Sequence, residues 1–130
     1  MGCPFCSRNG VIIAENKYAY AILDMRPIHR GHILVVPKKH YECITEIPLK
    51  ELTGVMSLIK DMERRLIKRM GAHGLTIRQN WAPFLKENHL VVRHLHFHII
   101  PRHLNDKLAT PVKRMRPSKR ELEKVAKMLR

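Results

Sequence analysis

Residues 94–100 read HLHFHII: three histidines alternate with Leu95 and Phe97, and Ile99 and Ile100 follow. A period of two belongs to a β-strand, whose side chains point alternately to opposite faces. The pattern predicts His94, His96, His98 and Ile100 on one face, with Leu95, Phe97 and Ile99 on the other, turned toward a core. Same-face neighbours on a strand stand roughly 6.5–7 Å apart, so the imidazoles form a row. Alternating polar residues on a half-exposed strand are ordinary, and a single histidine would call for nothing more. Three in strict alternation call for a function. Neutral imidazole is a nucleophile, a metal ligand and a proton carrier near neutral pH. A straight row converges poorly on one tetrahedral metal, which favours division of labour along one substrate.

The rest of the chain supplies a setting for that strand. Val11 to Ala14 and Tyr18 to Leu23 read as strands joined by a turn at ENK. DMRPIHRG is a loop, and HILVVPKKH is a third strand stopped by Pro37. Leu49, Leu52, Val55, Met56, Ile59, Met62, Leu66, Ile67 and Met70 recur at spacings of three and four, the mark of one apolar helical face. Pro48 suits the start of that helix and Gly71 the position after its end. Its methionines read as core filler. LTIRQN is a fourth strand, WAPFLKENHL an irregular loop, and HLHFHIIPR the fifth strand. A short terminal helix starts at Ser118, with Glu121 completing a capping box. Several connections are too short for parallel crossovers, so the expected class is α+β with a mostly antiparallel five-stranded sheet, one long helix and a C-terminal helix.

A chain of 130 residues is one domain by length. No apolar run reaches the roughly 18 residues of a membrane span, and MGCPFCSRNG lacks the apolar stretch of a secretory signal; the expectation is a cytoplasmic protein without a membrane partner. The net charge of +14 invites a polyanionic partner. About half of that excess sits in residues 107–130, which hold nine Lys/Arg and two Glu. Phe, Trp and Tyr make up only 5% of the chain, a poor supply for a base-stacking platform, so nucleic acid ranks below a nucleotide as ligand. Cys3, Cys6 and Cys43 make a poor disulfide framework. The close pair suggests metal or redox chemistry, and Cys43 reads as a small buried residue.

HLHFHII matches the His-φ-His-φ-His-φ-φ signature of the histidine triad (HIT) family of nucleotide hydrolases and transferases, where φ is apolar. DMRPIHRGHILVVPKKH resembles that family's second landmark, and CPFC resembles its zinc-bearing branch. The resemblance covers about residues 3–103. It implies a HIT domain over residues 1–106, followed by a basic tail with a short helix over residues 107–130. It also implies attack on the α-phosphate of a nucleotide, with His96 as the nucleophile that carries a nucleotidyl group. His98 and His32 would contact phosphate and bridging oxygens. Asp24 would hold the ribose hydroxyls, and Asn80 would face the phosphate. From the residues alone Asp24 also suits a turn, and Asn80 a strand end. Cys3, Cys6, His40 and His94 would form a structural zinc site with no open position. The family pairs through the long helix and a sheet edge, so a homodimer is expected. His29, His73, His89 and His103 receive no role.

The expected reaction is hydrolysis at the α-phosphate of an adenylated amine or a dinucleoside polyphosphate, with a purine nucleotide of AMP type as the expected substrate. Many members carry Gly-Gln and a Ser or Thr ahead of the triad. Here His89, Leu90 and Val91 fall there, and Leu90 cannot donate a hydrogen bond. Two alternatives follow: a nucleotide-binding module with weak turnover, and a zinc-stabilised nucleic-acid binder using the basic tail.

Overall fold

Asn16 starts the fold by turning the chain back on itself. Its side-chain oxygen accepts from the backbone N–H groups of Tyr18 and Ala19, an Asx-type turn between β1 (Ile12–Glu15) and β2 (Ala19–Leu23). The computed structural model describes residues 3–88, 91–107 and 113–130. His89 and Leu90, where phosphate contacts were expected, lie outside the described residues. The remaining elements are β3 (Ile33–Pro37), α1 (Leu49–Met70), β4 (Gly74–Arg78), β5 (Phe97–Arg102) and α2 (Lys119–Leu129). The sheet runs β1-β2-β3-β5-β4, and every pairing is antiparallel. The α+β class expected from the sequence is the one observed.

β2 and β3 are buried along their whole length because both faces of the sheet are covered. On one face Ala19, Ala21, Leu23, Ile33, Val35, Leu95, Phe97 and Ile99 meet α1 through Val55, Leu58, Ile59, Met62 and Leu66. Met62 and Leu66 are 0% exposed, so truncating Leu66 to alanine would cost about 2–5 kcal/mol. On the other face Tyr20, Ile22, Leu34 and Val36 pack under Phe5 of the N-terminal segment. The triad rings share that second face with Phe5, whose ring centroid lies 5.0 Å from that of His96. The predicted alternation of the histidine strand therefore holds, although strand pairing begins only at Phe97.

The helix differs in one respect from the expected apolar face. Leu49, Met56 and Ile67 are exposed, while Leu58 joins the buried stripe. The difference follows from helical geometry: residues 55, 58, 59, 62 and 66 follow one line of three- and four-residue steps, and positions 56 and 67 lie about 100° round the cylinder from 55 and 66. Pro48 stands just outside the helix in an extended conformation, and Gly71 ends it with φ +67°.

Gly31 does more for the site. Its φ is +94°, and a β-carbon there would lie 3.0 Å from Met70 Sδ and 3.2 Å from Leu66 Cδ2. Only glycine meets both demands, so β3 can start directly beneath the end of α1 with His32 at its mouth.

α2 lies beyond residue 106, yet its Leu122, Val125, Ala126 and Leu129 are buried in the same core as the sheet. Ser118 caps it by accepting from the Glu121 N–H, as the sequence predicts. Arg65 and Arg69 donate to the Leu129 carbonyl at its C-terminal end, where cations suit the helix dipole. Among the described residues no helix is long and apolar enough to cross a membrane.

Candidate active site

Hydrogen-bond partners assign a tautomer to each imidazole of the row. His96 Nδ1 lies 2.7 Å from the His94 carbonyl oxygen, which only accepts, so Nδ1 carries the proton and Nε2 keeps its lone pair. The Ile28 backbone N–H donates to His32 Nδ1 at 3.0 Å, which places the His32 proton on Nε2. His32 Nε2 is 2.9 Å from His98 Nδ1 and donates to it, so the His98 proton sits on Nε2. The row thus combines an unprotonated ring nitrogen on His96 with an N–H donor on His98. Their ring centroids are 5.1 Å apart. Phosphoryl transfer needs a nucleophile beside a donor for the charge that develops on oxygen.

All of these groups are buried: His32 is 1% exposed, and His96 and His98 are 7% each. Burial is the main force on their proton affinities, because it penalises the imidazolium. It pushes His32 down to about 3, assisted by the charges of Arg114 and Arg78. It likewise pushes His98 down to about 3, assisted by His96 and His32 and opposed by Asp24. His96 is lowered by burial and partly restored by the His94 carbonyl and Asp24. A neutral row at neutral pH follows, which is the state a nucleophilic imidazole requires.

Asp24 closes β2 at the other side of the site. Its Oδ1 accepts from the Arg26 N–H at 2.8 Å, the turn role that its sequence position allows. Its Oδ2 faces inward, 3.4 Å from His32 Nε2 and 3.8 Å from His98 Nδ1. Asp24, His32 and His98 therefore form one cluster, with His96 next along the strand.

The second cluster lies at the N-terminal end of the row. Ligand-type atoms of Cys3, Cys6, His40 and His94 all fall within 4.8 Å of one another. Cys3 Sγ is 3.3 Å from His94 Nδ1, and Cys6 Sγ is 3.3 Å from His40 Nδ1. His94 Nε2 donates to the Pro37 carbonyl at 2.8 Å, which leaves Nδ1 unprotonated toward the thiols. Two sulfurs and two imidazoles are the donor set of a closed tetrahedral zinc site, and this set fits that ion. Cys43 is buried, 7% exposed, well away from that role.

Asn80 follows the fourth strand. β4 ends at Arg78, and Asn80 lies two residues beyond it, exposed. Two arginines enter the neighbourhood of the row. Arg78 pairs in register with His98, so the two side chains share a face. The alternation Thr76, Arg78, Asn80 could have pointed to it. Arg114 donates to Asp24 Oδ2 at 3.2 Å from a position 90 residues downstream, and only its charge was visible in the sequence.

Comparison with known proteins bears on the family and the fold. The HIT domain family matches residues 7–105, a span that starts just after Cys3 and Cys6. An uncharacterised HIT-like protein of Methanocaldococcus jannaschii is 39% identical over 109 residues, covering 80% of this chain and 81% of that one. An adenosine 5'-monophosphoramidase of Saccharomyces cerevisiae is 39% identical over 90 residues, covering 69% of this chain and 52% of that protein. A crystal structure of a zinc-bound histidine triad family protein from Mycobacterium smegmatis superposes with a TM-score of 0.79 at 28% identity, covering 99% of this chain and 94% of that one. The alternating histidines, the sheet that carries them and the extent of the family match lead to one conclusion: this chain belongs to the HIT domain family.

Proposed function

We propose that the protein is a hydrolase that cleaves the bond between the α-phosphate of a nucleotide and its leaving group, with His96 as nucleophile. The observation that carries this is the His96 Nδ1 contact of 2.7 Å to the His94 carbonyl, which leaves Nε2 as the reactive lone pair. In the first half-reaction Nε2 forms a bond to phosphorus while the bond to the leaving group breaks, and the leaving group departs with the electron pair. The nucleotidyl-imidazole is cationic, and the His94 carbonyl stabilises its remaining proton. In the second half-reaction water attacks phosphorus, the P–N bond breaks, and a nucleoside monophosphate leaves. One proton of that water balances the one taken up by the leaving group.

The other residues divide the binding. The His98 N–H, with His32 behind it, donates to phosphate or bridging oxygens as charge develops. Asp24 accepts the ribose hydroxyls, and Asn80 serves as a phosphate donor from the loop after β4. Cys3, Cys6, His40 and His94 hold a structural zinc ion that fixes the start of the catalytic strand. Two relatives support an AMP-type substrate with an amine leaving group. The Saccharomyces cerevisiae phosphoramidase is one; an adenosine 5'-monophosphoramidase of Schizosaccharomyces pombe, 33% identical over 107 residues, is the other. Two chains pair through the exposed side of α1, at Met56 and Ile67, and the outer edge of β4.

The test is incubation with a fluorogenic AMP phosphoramidate and with a diadenosine polyphosphate. AMP release by the wild type, abolished in His96→Ala, is expected. Nucleotide binding without turnover would reduce the protein to a binding module. Salt-steep RNA binding without nucleotide affinity would favour the nucleic-acid alternative.

A further inference from the structure

Three of the histidines that the active-site row leaves without a role come together at the C-terminal end of the catalytic strand. His103 follows β5 directly, and its ring centroid lies 6.1 Å from that of His29 and 5.9 Å from that of His73. Asp106 joins them, with Oδ2 3.1 Å from His29 Nε2. All four side chains line one open cleft of about 580 Å³. The backbone holds them there. The Asp106 N–H donates to the His103 carbonyl at 2.9 Å, so both residues sit in one turn, and the His73 N–H donates to the Arg102 carbonyl at 2.9 Å. Arg102 donates to Asp106 Oδ1 at 2.7 Å, which leaves Oδ2 toward His29.

The contact between His29 and Asp106 carries the argument. The Asp106 side chain is 8% exposed, and its Oδ2 and the His29 Nε2 are both shielded from water. Neither atom makes a hydrogen bond among the described residues. Their separation of 3.1 Å suits such a bond, so it is the direction that fails: the ring does not aim an N–H at the carboxylate. A buried pair left in that state is costly. Two ligands of one zinc ion stand in this relation. With bonds of about 2.0 Å the tetrahedral edge is about 3.3 Å, and the ion sits beside the line that joins the donors. A bare divalent ion is also smaller than a water molecule. Imidazoles that share one zinc ion have ring centroids about 5 Å apart, and those of His40 and His94 are 4.8 Å apart. The His103 ring has to close on its neighbours by about 1 Å, a movement that ordinary rotation of the exposed His73 and His103 side chains supplies. A carboxylate in the cleft repels an anion, and three imidazoles beside it suit a zinc-like ion better than calcium or magnesium.

We propose that His29, His73, His103 and Asp106 form a second metal site, separate from the cysteine cluster, for a divalent transition ion of the zinc class. An ion there ties the loop between β2 and β3 to the end of β5. That loop carries the Ile28 N–H that donates to His32 Nδ1, and the His29 carbonyl accepts from the His32 N–H at 3.0 Å. The ion therefore braces the loop that orients His32. None of the residues assigned to the nucleotide belongs to this site, so it stands or falls separately from the proposed reaction.

The test is zinc titration of the reduced, full-length protein against a chromophoric zinc indicator. At low micromolar free zinc, His103→Ala should take up one ion fewer than the wild type, because losing a ligand weakens the site by at least about tenfold. Asp106→Asn should do the same. His103 is exposed, so its replacement leaves the fold intact, and cobalt bound at the cysteine cluster should keep its thiolate bands in that variant. Cys3→Ser/Cys6→Ser, which silences the cysteine cluster, should still bind one zinc ion per chain, and adding His103→Ala to it should abolish that uptake. Equal uptake and affinity in the wild type and His103→Ala overturn the proposal. So does a Cys3→Ser/Cys6→Ser protein that is folded by circular dichroism and binds no zinc.

Discussion

His32 Nε2 lies 2.9 Å from His98 Nδ1, and this one contact decides which nitrogen of His98 carries a proton. The chain of donation runs from the Ile28 N–H to His32 and from His32 to His98. His32→Leu removes the middle link and leaves His98 Nδ1 without a donor. Turnover of a nucleotide phosphoramidate should fall about tenfold to a hundredfold, the usual effect of losing an orienting partner. Nitrogen NMR should show His98 protonated on Nε2 in the wild type and a mixture of tautomers in the variant. A single unchanged tautomer in His32→Leu would refute the relay.

The pH dependence follows from burial. His32 and His98 are pushed down to about 3 and His96 is lowered, from an ordinary value of 6.5. The imidazoles that must be neutral for attack therefore stay neutral as the medium turns acid. The rate of substrate hydrolysis should hold steady from pH 8 to pH 6, and its acid limb should lie below 6.5. Stability has the opposite partner to consider. The unfolded chain takes up protons on these residues below about pH 6.5 while the folded chain refuses them, so the unfolded state binds more. Stability should be complete above 6.5 and decline as pH falls toward 3. Urea titrations at a series of pH values measure this, and a stability that rises on acidification would contradict it.

Metal occupancy offers a separate check. Cobalt substituted into the purified protein should give thiolate-to-metal charge-transfer bands that disappear in Cys3→Ser/Cys6→Ser. At free zinc a thousandfold above Kd, binding linkage contributes about 4 kcal/mol. For a chain of this size that corresponds to a loss of about 10 °C or more in Tm on chelation. A melting temperature indifferent to chelator and zinc alike would remove the cluster from the list of metal sites.

Gly31→Ala tests how the loop aims His32. The new methyl group would meet Met70 Sδ at 3.0 Å in a backbone conformation that disfavours side chains. Destabilisation of about 1–3 kcal/mol is expected from strain and crowding together. The first turn of β3 should shift with it, so kcat should fall along with stability. A variant as stable and as fast as the wild type would show that the loop tolerates another path.

Much of this was legible in the sequence, because strand and helix periods translate directly into faces. The alternation around Phe97 set the histidines against the core residues, and the Ser118 cap and Gly71 stop stand where their chemistry suggests. The four sulfur and imidazole positions also converge, through contacts as distant in sequence as Cys3 and His94. What could not be read depends on where chain ends and loops come to rest. Nothing local indicates that Arg114 reaches Asp24, since the pairing is made by the docking of α2. Asn80 follows a strand that stops at Arg78, so its periodicity no longer dictates a direction. Met56 and Ile67 are apolar and helical yet exposed, and composition alone could not tell them from the core stripe.

His94 belongs to both halves of the site: its ring faces the thiols of Cys3 and Cys6, and its carbonyl oxygen accepts the hydrogen bond that His96 Nδ1 donates. Under the proposed function, with zinc held by Cys3, Cys6, His40 and His94, an agent that strips that ion would tilt the very peptide on which His96 rests, without touching the sugar or phosphate contacts. Inactivation of that kind is noncompetitive: flooding the enzyme with substrate would not reverse it, and the surviving molecules would hold their nucleotide as firmly as before.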